Sequence, residues 1–421
     1  MKEYVKRESS TRRELLRAAR EQFAVNGFAG ARLTDIAAAA GMTTGAYYRH
    51  FATKDDIVDV LFEEFADELS AALADVGDLE DFCRTWLRVH EAHCGTIRAA
   101  EDVTPQDGTY WAHRRRLRKL WASSALLHLQ LARDATHRRA LALVLVDTLD
   151  YYFLTRTRGW AAGTADAAAA NLAQLFTEGL YGDDTRRRAG QGPPGGPREA
   201  APEPAREGTA DASITPLICW EVAAGRTEPT SRRGRSQRDA VLRSGRRVFM
   251  AAGYENATIP QVAADAGVSP GTVYRYFEDK RDLFMCLLSG AERSLFEKSM
   301  WPLGPDGRLQ VRQAMRTYLA TREQQRAVYR VWRELLDTDE ELEKLWIASR
   351  QNFQAALARV VRKSQNDGLI AAKFNAPIVS ELLVALCDGP AHAWYDLGWR
   401  ENDSLSRDDL ADIMAARTGD E

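Results

Sequence analysis

AGMTTGAYYRHFATKDDI, residues 40–57, returns as AGVSPGTVYRYFEDKRDL, residues 266–283, at a constant offset of 226. The echo extends back to Phe23 and Phe249 and forward without a gap to Ile57 and Leu283. A period of about half the chain means duplicated domains rather than a solenoid of short repeats. Upstream, Leu16, Ala19 and Phe23 fall on one helical stripe with Gly27 after it as a stop signal, matched by Leu242, Gly245, Phe249 and Gly253. A short helix follows, with Ile36, Ala37 and Ala40 (Val262, Ala263, Ala266) inward and Gly41 or Gly267 where a tight turn needs positive φ. Thr43 and Ser269 cap a third helix, and Pro270 sits in its first turn, where proline's missing N–H costs nothing.

The inward face of that third helix is Tyr47 with Phe51, or Val273 with Phe277, spaced i and i+4. This leaves Thr44, Gly45, Ala46, Tyr48, Arg49 and His50 to face outward. Hydroxyls, a guanidinium and small residues on the second helix of such a pair suit a DNA major groove, where they meet phosphates and base edges. Lys54, repeated as Lys280, stands in the first turn of a fourth helix capped by Thr53 or Asp279. A cation there opposes the helix dipole, which favours a phosphate at the same helix end.

Helix, Ile/Val-Ala-x-x-Ala-Gly-x-Ser/Thr-x-Gly, an aromatic-Arg-x-Phe run, then Lys and a long helix: this pattern resembles the TetR family of transcriptional regulators, and it does so twice. The resemblance implies double-stranded DNA as partner, with Thr43, Thr44, Gly45, Ala46, Tyr48, Arg49, His50 and Lys54 at the first interface. At the second it implies Thr258, Ser269, Pro270, Gly271, Thr272, Tyr274, Arg275, Tyr276 and Lys280. Two positions depart from the family pattern. Arg32 stands where the second copy has the usual threonine, Thr258, and Tyr47 replaces a smaller aliphatic residue.

With 421 residues the chain has room for two such units, and its apolar patterns have the helical period almost throughout. The expected fold is all-α. Each unit would be a three-helix head followed by a helical body, the two arranged as an intramolecular pseudo-dimer. The expected limits are 1–58 for the first head with its basic arm and 59–181 for its body. A Pro/Gly-rich linker spans 182–225, the second head 226–284 and the second body 285–421. No apolar run reaches membrane-span length, and the first residues lack the core of a signal peptide, so a cytoplasmic protein without membrane contact is expected.

The net charge of −3 hides an uneven distribution. Residues 1–58 carry +3 and residues 226–284 carry +4, leaving −10 on the remainder, so positive charge collects on the heads. Lys2, Lys6, Arg7, Arg12 and Arg13 precede one head, and Arg226, Arg232, Arg233, Arg235 and Arg238 the other. They read as arms able to lie along phosphates or enter a minor groove. The five cysteines, Cys83, Cys94, Cys219, Cys286 and Cys387, are scattered and never spaced as C-x-x-C, which fits reduced thiols. His90, His93 and Cys94 lack a fourth nearby ligand and read as packing. No phosphate loop, nucleophile elbow or acid–base–nucleophile set emerges, so no enzyme, cofactor or metal is expected.

Farther along, Lys119-Leu120-Trp121-Ala122-Ser123 echoes Lys344-Leu345-Trp346-Ile347-Ala348, and Gly159-Trp160 echoes Gly398-Trp399. These mark apolar helices over 138–158 and 376–397, each followed by an amphipathic one, 165–180 and 405–416. By resemblance these four helices pair as a bundle, giving a monomeric chain that is its own dimer. The linker contains one apolar island, Ile214 to Val222, read as docking on a body, with the lining of a ligand entrance as the alternative. The resemblance also implies a ligand pocket in each body. The aromatics proposed to line it are Trp86, His90, Trp111, Trp121 and Tyr151, and Tyr318, Tyr329, Trp332, Trp346, Phe353 and Trp394, together with Phe82. A largely uncharged aromatic lining would suit a small hydrophobic or aromatic effector. The expected function is a ligand-responsive repressor released from an asymmetric operator by such an effector. The alternative is a regulator in which one head reads DNA and the other serves for dimerisation or interaction.

Overall fold

A computed structural model describes residues 2–102, 108–129, 135–159, 163–180, 229–298, 310–336, 338–397, 408–409 and 411–412. The linker with its apolar island, Arg226 and most of the expected final helix lie outside the described residues. Regular structure among the described residues is helical. The first unit comprises α1 (Lys2–Gly30), α2 (Leu33–Ala39), α3 (Thr44–Tyr47), α4 (Lys54–Ala74), α5 (Leu79–Ala92), α6 (Cys94–Asp102), α7 (Gly108–Ala125), α8 (Ala135–Thr157) and α9 (Ala165–Glu178). The second comprises α10 (Arg232–Asn256), α11 (Ile259–Ala266), α12 (Pro270–Tyr276), α13 (Lys280–Lys298), α14 (Val311–Gln324), α15 (Arg326–Leu335), α16 (Glu340–Asn366) and α17 (Ala376–Ala391), which runs into a π-helical turn at His392–Asp396. No helix among the described residues is long and apolar enough to cross a membrane.

Local chemistry places these boundaries. Thr53 accepts from the Asp56 N–H and Asp56 accepts in return from the Thr53 N–H, a capping box that starts α4. Asp339 starts α16 by accepting from the N–H groups of Glu341 and Leu342. The stop expected at Gly27 is a kink instead: with φ of 65° at Gly27 and 71° at Gly253, both first helices bend and continue, to Gly30 and Asn256. The basic arms are likewise helical. Ser231 caps α10, so Arg232, Arg233, Arg235 and Arg238 ride on its first turns, and α1 already includes Lys6, Arg7, Arg12 and Arg13. Arg12 lies 5.2 Å from the Phe51 ring centre and Arg238 lies 5.5 Å from that of Phe277, at equivalent positions in the two heads.

Each head is seated on its body through a different contact. Gly95, at the start of α6, lies so close to α1 that a Cβ there would clash with the Arg20 carbonyl oxygen and come within 2.9 Å of the Ala24 nitrogen. Arg98 on the same helix donates to the Ala24 carbonyl at 3.0 Å. In the second unit Glu334 accepts from the Tyr254 N–H at 3.2 Å, and Arg281 grips Asp339 at 2.8 Å. Gly95→Leu is therefore expected to pry α1 from α6. The loss should appear as increased amide exchange in α1 while α10 keeps its protection, and equal exchange in both would refute it.

The two bodies meet along α8 and α17, with α9 beside them. Tyr151 of α8 donates to Asp388 of α17 at 2.9 Å. At the edges Arg158 pairs with Glu343 at 3.3 Å, Lys373 pairs with Glu178, and the Asn375 N–H donates to Asn171 at 3.1 Å. Of the expected fourth bundle helix the described residues include Asp408 and Asp412, which pair with Arg316 and Arg312 at 3.0 and 3.1 Å.

Candidate nucleic-acid interface

The turn between the second and third helices of each head closes on a left-handed glycine, Gly41 with φ 69° and Gly267 with φ 66°. Thr43 then accepts from the Ala46 N–H and Ser269 from the Thr272 N–H, setting the start and direction of α3 and α12. On these helices Tyr48 is 55% exposed and Tyr274 45% exposed, large rings held in solvent at the same position of both copies. Arg49 and Arg275 flank them and are exposed, as are Gly45, Pro270 and Gly271. Thr44, Ala46, His50 and Thr272 are half-buried on the same surface. The extra ring of Tyr47 is accommodated: it is fully buried, its hydroxyl donates to the Thr53 carbonyl at 2.8 Å, and it meets Tyr48 edge-on.

Other expected contact residues stand differently. Tyr276 is turned inward at 4% exposure, with its hydroxyl on Gln237 at 3.2 Å. The two lysines have partners in their own chain. Lys54 donates to the carbonyls of Phe28 and Ala31, and Lys280 to those of Tyr254 and Glu255. Each amine also sits 4.2–4.3 Å from an aromatic ring centre, that of Phe28 or Tyr254. Those carbonyls close α1 and α10, and a helix's C-terminal end carries partial negative charge. The repeated lysine opposes one helix dipole while complementing another, so its presence in both copies needs no phosphate. Lys280→Ala is expected to destabilise the second head by about 1.5–3 kcal/mol, the range for hydrogen bonds to a charged group. Chemical denaturation would show it, and an unchanged midpoint would remove the lysine's structural role.

The heads also differ. α12 has seven residues and α3 four, after which residues 48–50 form turns. Thr258 caps α11 in a full capping box with Gln261, whereas Arg32 provides no side-chain cap for α2, a difference of about 0.5–2 kcal/mol.

In the first body the expected lining residues cluster. Trp86 stacks on His90 at 4.7 Å between ring centres and meets Trp121 edge-on at 5.3 Å. His90 and Trp121 share a cavity with Phe62, Phe65, Ile97, Ala100, Arg114, Asp150 and Leu154, but its volume is about 10 Å³, room for one water. His90 binds the Trp86 carbonyl and Asp150, and His93 binds Glu68, so the two imidazoles serve separate partners. The Tyr151 hydroxyl faces the other unit, and the side chain of Trp111 lies outside the described residues.

The uncharged lining expected in the second body is not what its interior contains. Tyr318 and Tyr329 donate to the buried carboxylates of Asp388 and Glu292. Arg350 bridges the same two, at 2.5 Å to Asp388 and 3.2 Å to Glu292, and Arg322 reaches Asp396 at 3.2 Å. Trp332 packs on Trp346, Phe353 on Tyr318, and Trp394 is buried in the π turn. The sequence did hold a signal. Asp388 is an acid set in the apolar run LLVALCDGPAHAW, and Arg322 and Arg350 follow the aromatics Tyr318 and Trp346 by four residues on inward faces.

The family model described as "Bacterial regulatory proteins, tetR family" matches residues 15–61 and again 241–285, the two heads. The HTH-type transcriptional repressor KstR2 of Mycobacterium tuberculosis is 41% identical over 70 residues, 17% of this chain and 35% of that protein, so the chain spans about a third of this relative's length. The HTH-type transcriptional repressor BepR of Brucella suis is 25% identical over 171 residues, 37% of this chain and 79% of that protein. A crystal structure of a putative TetR-family transcriptional regulator from Mesorhizobium loti covers 45% of this chain and 96% of its own at 21% identity, with a TM-score of 0.35. The same helix-turn-helix is built twice and each copy is matched by the one family model, so the chain carries two TetR-family heads in tandem.

Proposed function

We propose that the chain is a DNA-binding transcriptional repressor whose two heads read one operator together. The observation carrying this reading is the pair Tyr48-Arg49 and Tyr274-Arg275, exposed at equivalent positions on α3 and α12 behind identical turn and cap geometry. Aromatic hydroxyls and guanidinium groups on a recognition helix meet phosphates and base edges. The test is Tyr48→Ala and Tyr274→Ala, singly and together, in gel shifts on DNA fragments selected by the intact protein. Each substitution should weaken binding several-fold at unchanged stability, and Arg49→Ala should reduce the salt slope by about one. Full-strength binding by the double variant would overturn the reading.

In this proposal the domain limits follow the sequence reading, with heads at 1–58 and 226–284 and bodies at 59–181 and 285–421. The bodies pair within one chain, because tethering gives an internal partner an effective concentration of order mM. Light scattering should give the 47 kDa mass of a single chain. A species of about twice that mass would replace the tethered pair with a dimer of chains. A small hydrophobic or aromatic effector would act on the first unit, where Trp86, His90 and Trp121 cluster apart from the buried Arg118–Asp147 pair, rather than on the second, where Asp388, Glu292 and Arg350 are paired among the aromatics. It would release the operator only by its differential affinity for a state with wider head spacing. A second reading, in which the second head alone reads DNA, is favoured by the four-residue α3 and the uncapped α2. It predicts loss of binding with Tyr274→Ala and none with Tyr48→Ala.

A further inference from the structure

Asp388, Gly389 and Tyr151 lie where α8 crosses α17. Here α17 comes so close to α8 that a Cβ on Gly389 would overlap the backbone carbonyl of Asp147 and reach 3.0 Å from the Thr148 nitrogen. Beside this contact the Tyr151 hydroxyl donates to Asp388, a carboxylate that is 1% exposed and already takes donors from Arg350 and Tyr318. We infer that this surface is built to pair unit one with unit two and to reject each unit's own copy, with Gly389, Asp388 and Tyr151 as the residues that decide it.

Aligning Gly159-Trp160 with Gly398-Trp399 relates α8 to α17 by an offset of 239. Under that offset Gly389 corresponds to Asp150, Asp388 to Leu149, and Tyr151 to Pro390. Two copies of unit one, packed in the same way, would therefore bring the Cβ of Asp150 onto the Asp147 carbonyl, where only glycine fits. They would also face the Tyr151 hydroxyl with Leu149, which has no acceptor, and a buried hydroxyl without a partner is costly. Two copies of unit two would keep the glycine but face Asp388 with Pro390, so the carboxylate would keep its own unit's donors, Arg350 and Tyr318, and lose the one from across the crossing. Only the mixed pair both fits and gives the Tyr151 hydroxyl an acceptor across the crossing. Discrimination by a clash and an unmet hydrogen bond against the wrong partner is how specificity arises between similar surfaces.

This rests on the pairing of the bodies proposed above and not on DNA binding, so the test reads pairing alone. Full-length chains labelled with 14N and with 15N are mixed, treated with a carbodiimide that joins neighbouring amines and carboxylates, and mapped by mass spectrometry. The wild type should yield the amide between Lys373 and Glu178, which pair across the units. It should yield no mixed-isotope link joining unit one to unit one or unit two to unit two. Gly389→Asp, which gives α17 the residue α8 carries, should lower the yield of the Lys373–Glu178 link at least tenfold while far-UV circular dichroism stays helical. Tyr151→Phe, which removes only the hydroxyl, should lower it by a smaller factor and serves if Gly389→Asp does not fold. Like-with-like links in the wild type, or an undiminished Lys373–Glu178 link in whichever variants fold, would overturn the inference. A protein that bound no DNA would leave it standing.

Discussion

Asp388→Ala is expected to lower the unfolding free energy by about 3–5 kcal/mol, the cost of breaking a buried ion pair by removing one partner. Arg350 would be left with Glu292 alone and Arg322 with Asp396 alone, each losing the carboxylate they share, and the hydroxyls of Tyr318 and Tyr151 would lose their acceptor. The damage should cross the unit boundary, since Tyr151 belongs to α8. Urea denaturation measures it, and a change below about 1 kcal/mol, the worth of an exposed pair, would mean that the cluster is not cooperative. The same cluster has a pH signature. Burial pushes the Asp388 and Asp396 carboxyls upward, but Arg350 and Arg322 outweigh it at Asp388, and Arg322 with His392 at Asp396, so both are held below the ordinary aspartate range. A group that binds its proton more weakly when folded gives stability that is complete above its unfolded pKa of about 3.9 and lost as pH falls through the folded value. Acid should therefore destabilise the wild type by a larger step than it does Asp388→Ala, which keeps only the contribution of Asp396.

Replacing either half of the operator with an inverted copy of the other is expected to weaken binding tenfold or more. A homodimer mirrors its own two-fold axis in a palindrome because its two reading helices are identical. Here one head offers Thr44, Ala46 and His50, and the other Pro270, Thr272 and an inward Tyr276, on helices of four and seven residues. At about 1–3 kcal/mol per mismatched base pair these differences suffice, since 1.4 kcal/mol is a factor of ten. Equal affinity for a perfect palindrome would mean that both heads read one sequence.

The heads were legible in the sequence because their determinants are local. A capping residue, a glycine at a left-handed turn and an i, i+4 apolar pair act within a few residues of one another, so Thr43, Gly41 and the Tyr47–Phe51 face are found where the spacing puts them. The duplication doubled that signal. Where a partner came from another helix, local reading misassigned it. Lys54 looked misplaced until α1 brought its C-terminal carbonyls to the amine, and Tyr276 looked exposed until Gln237 covered its hydroxyl. The aromatics of the second body showed the right period for an interior but not what they touch there. Tyr318 meets Asp388 from 70 positions away, and Tyr151 meets it from 237. Helix periodicity, caps and the repeat were thus set by the sequence read along its length. The Asp388–Arg350–Glu292 cluster and the mixed crossing of α8 on α17 were decided by tertiary structure, because a buried charge or a glycine contact is defined by the atom across from it.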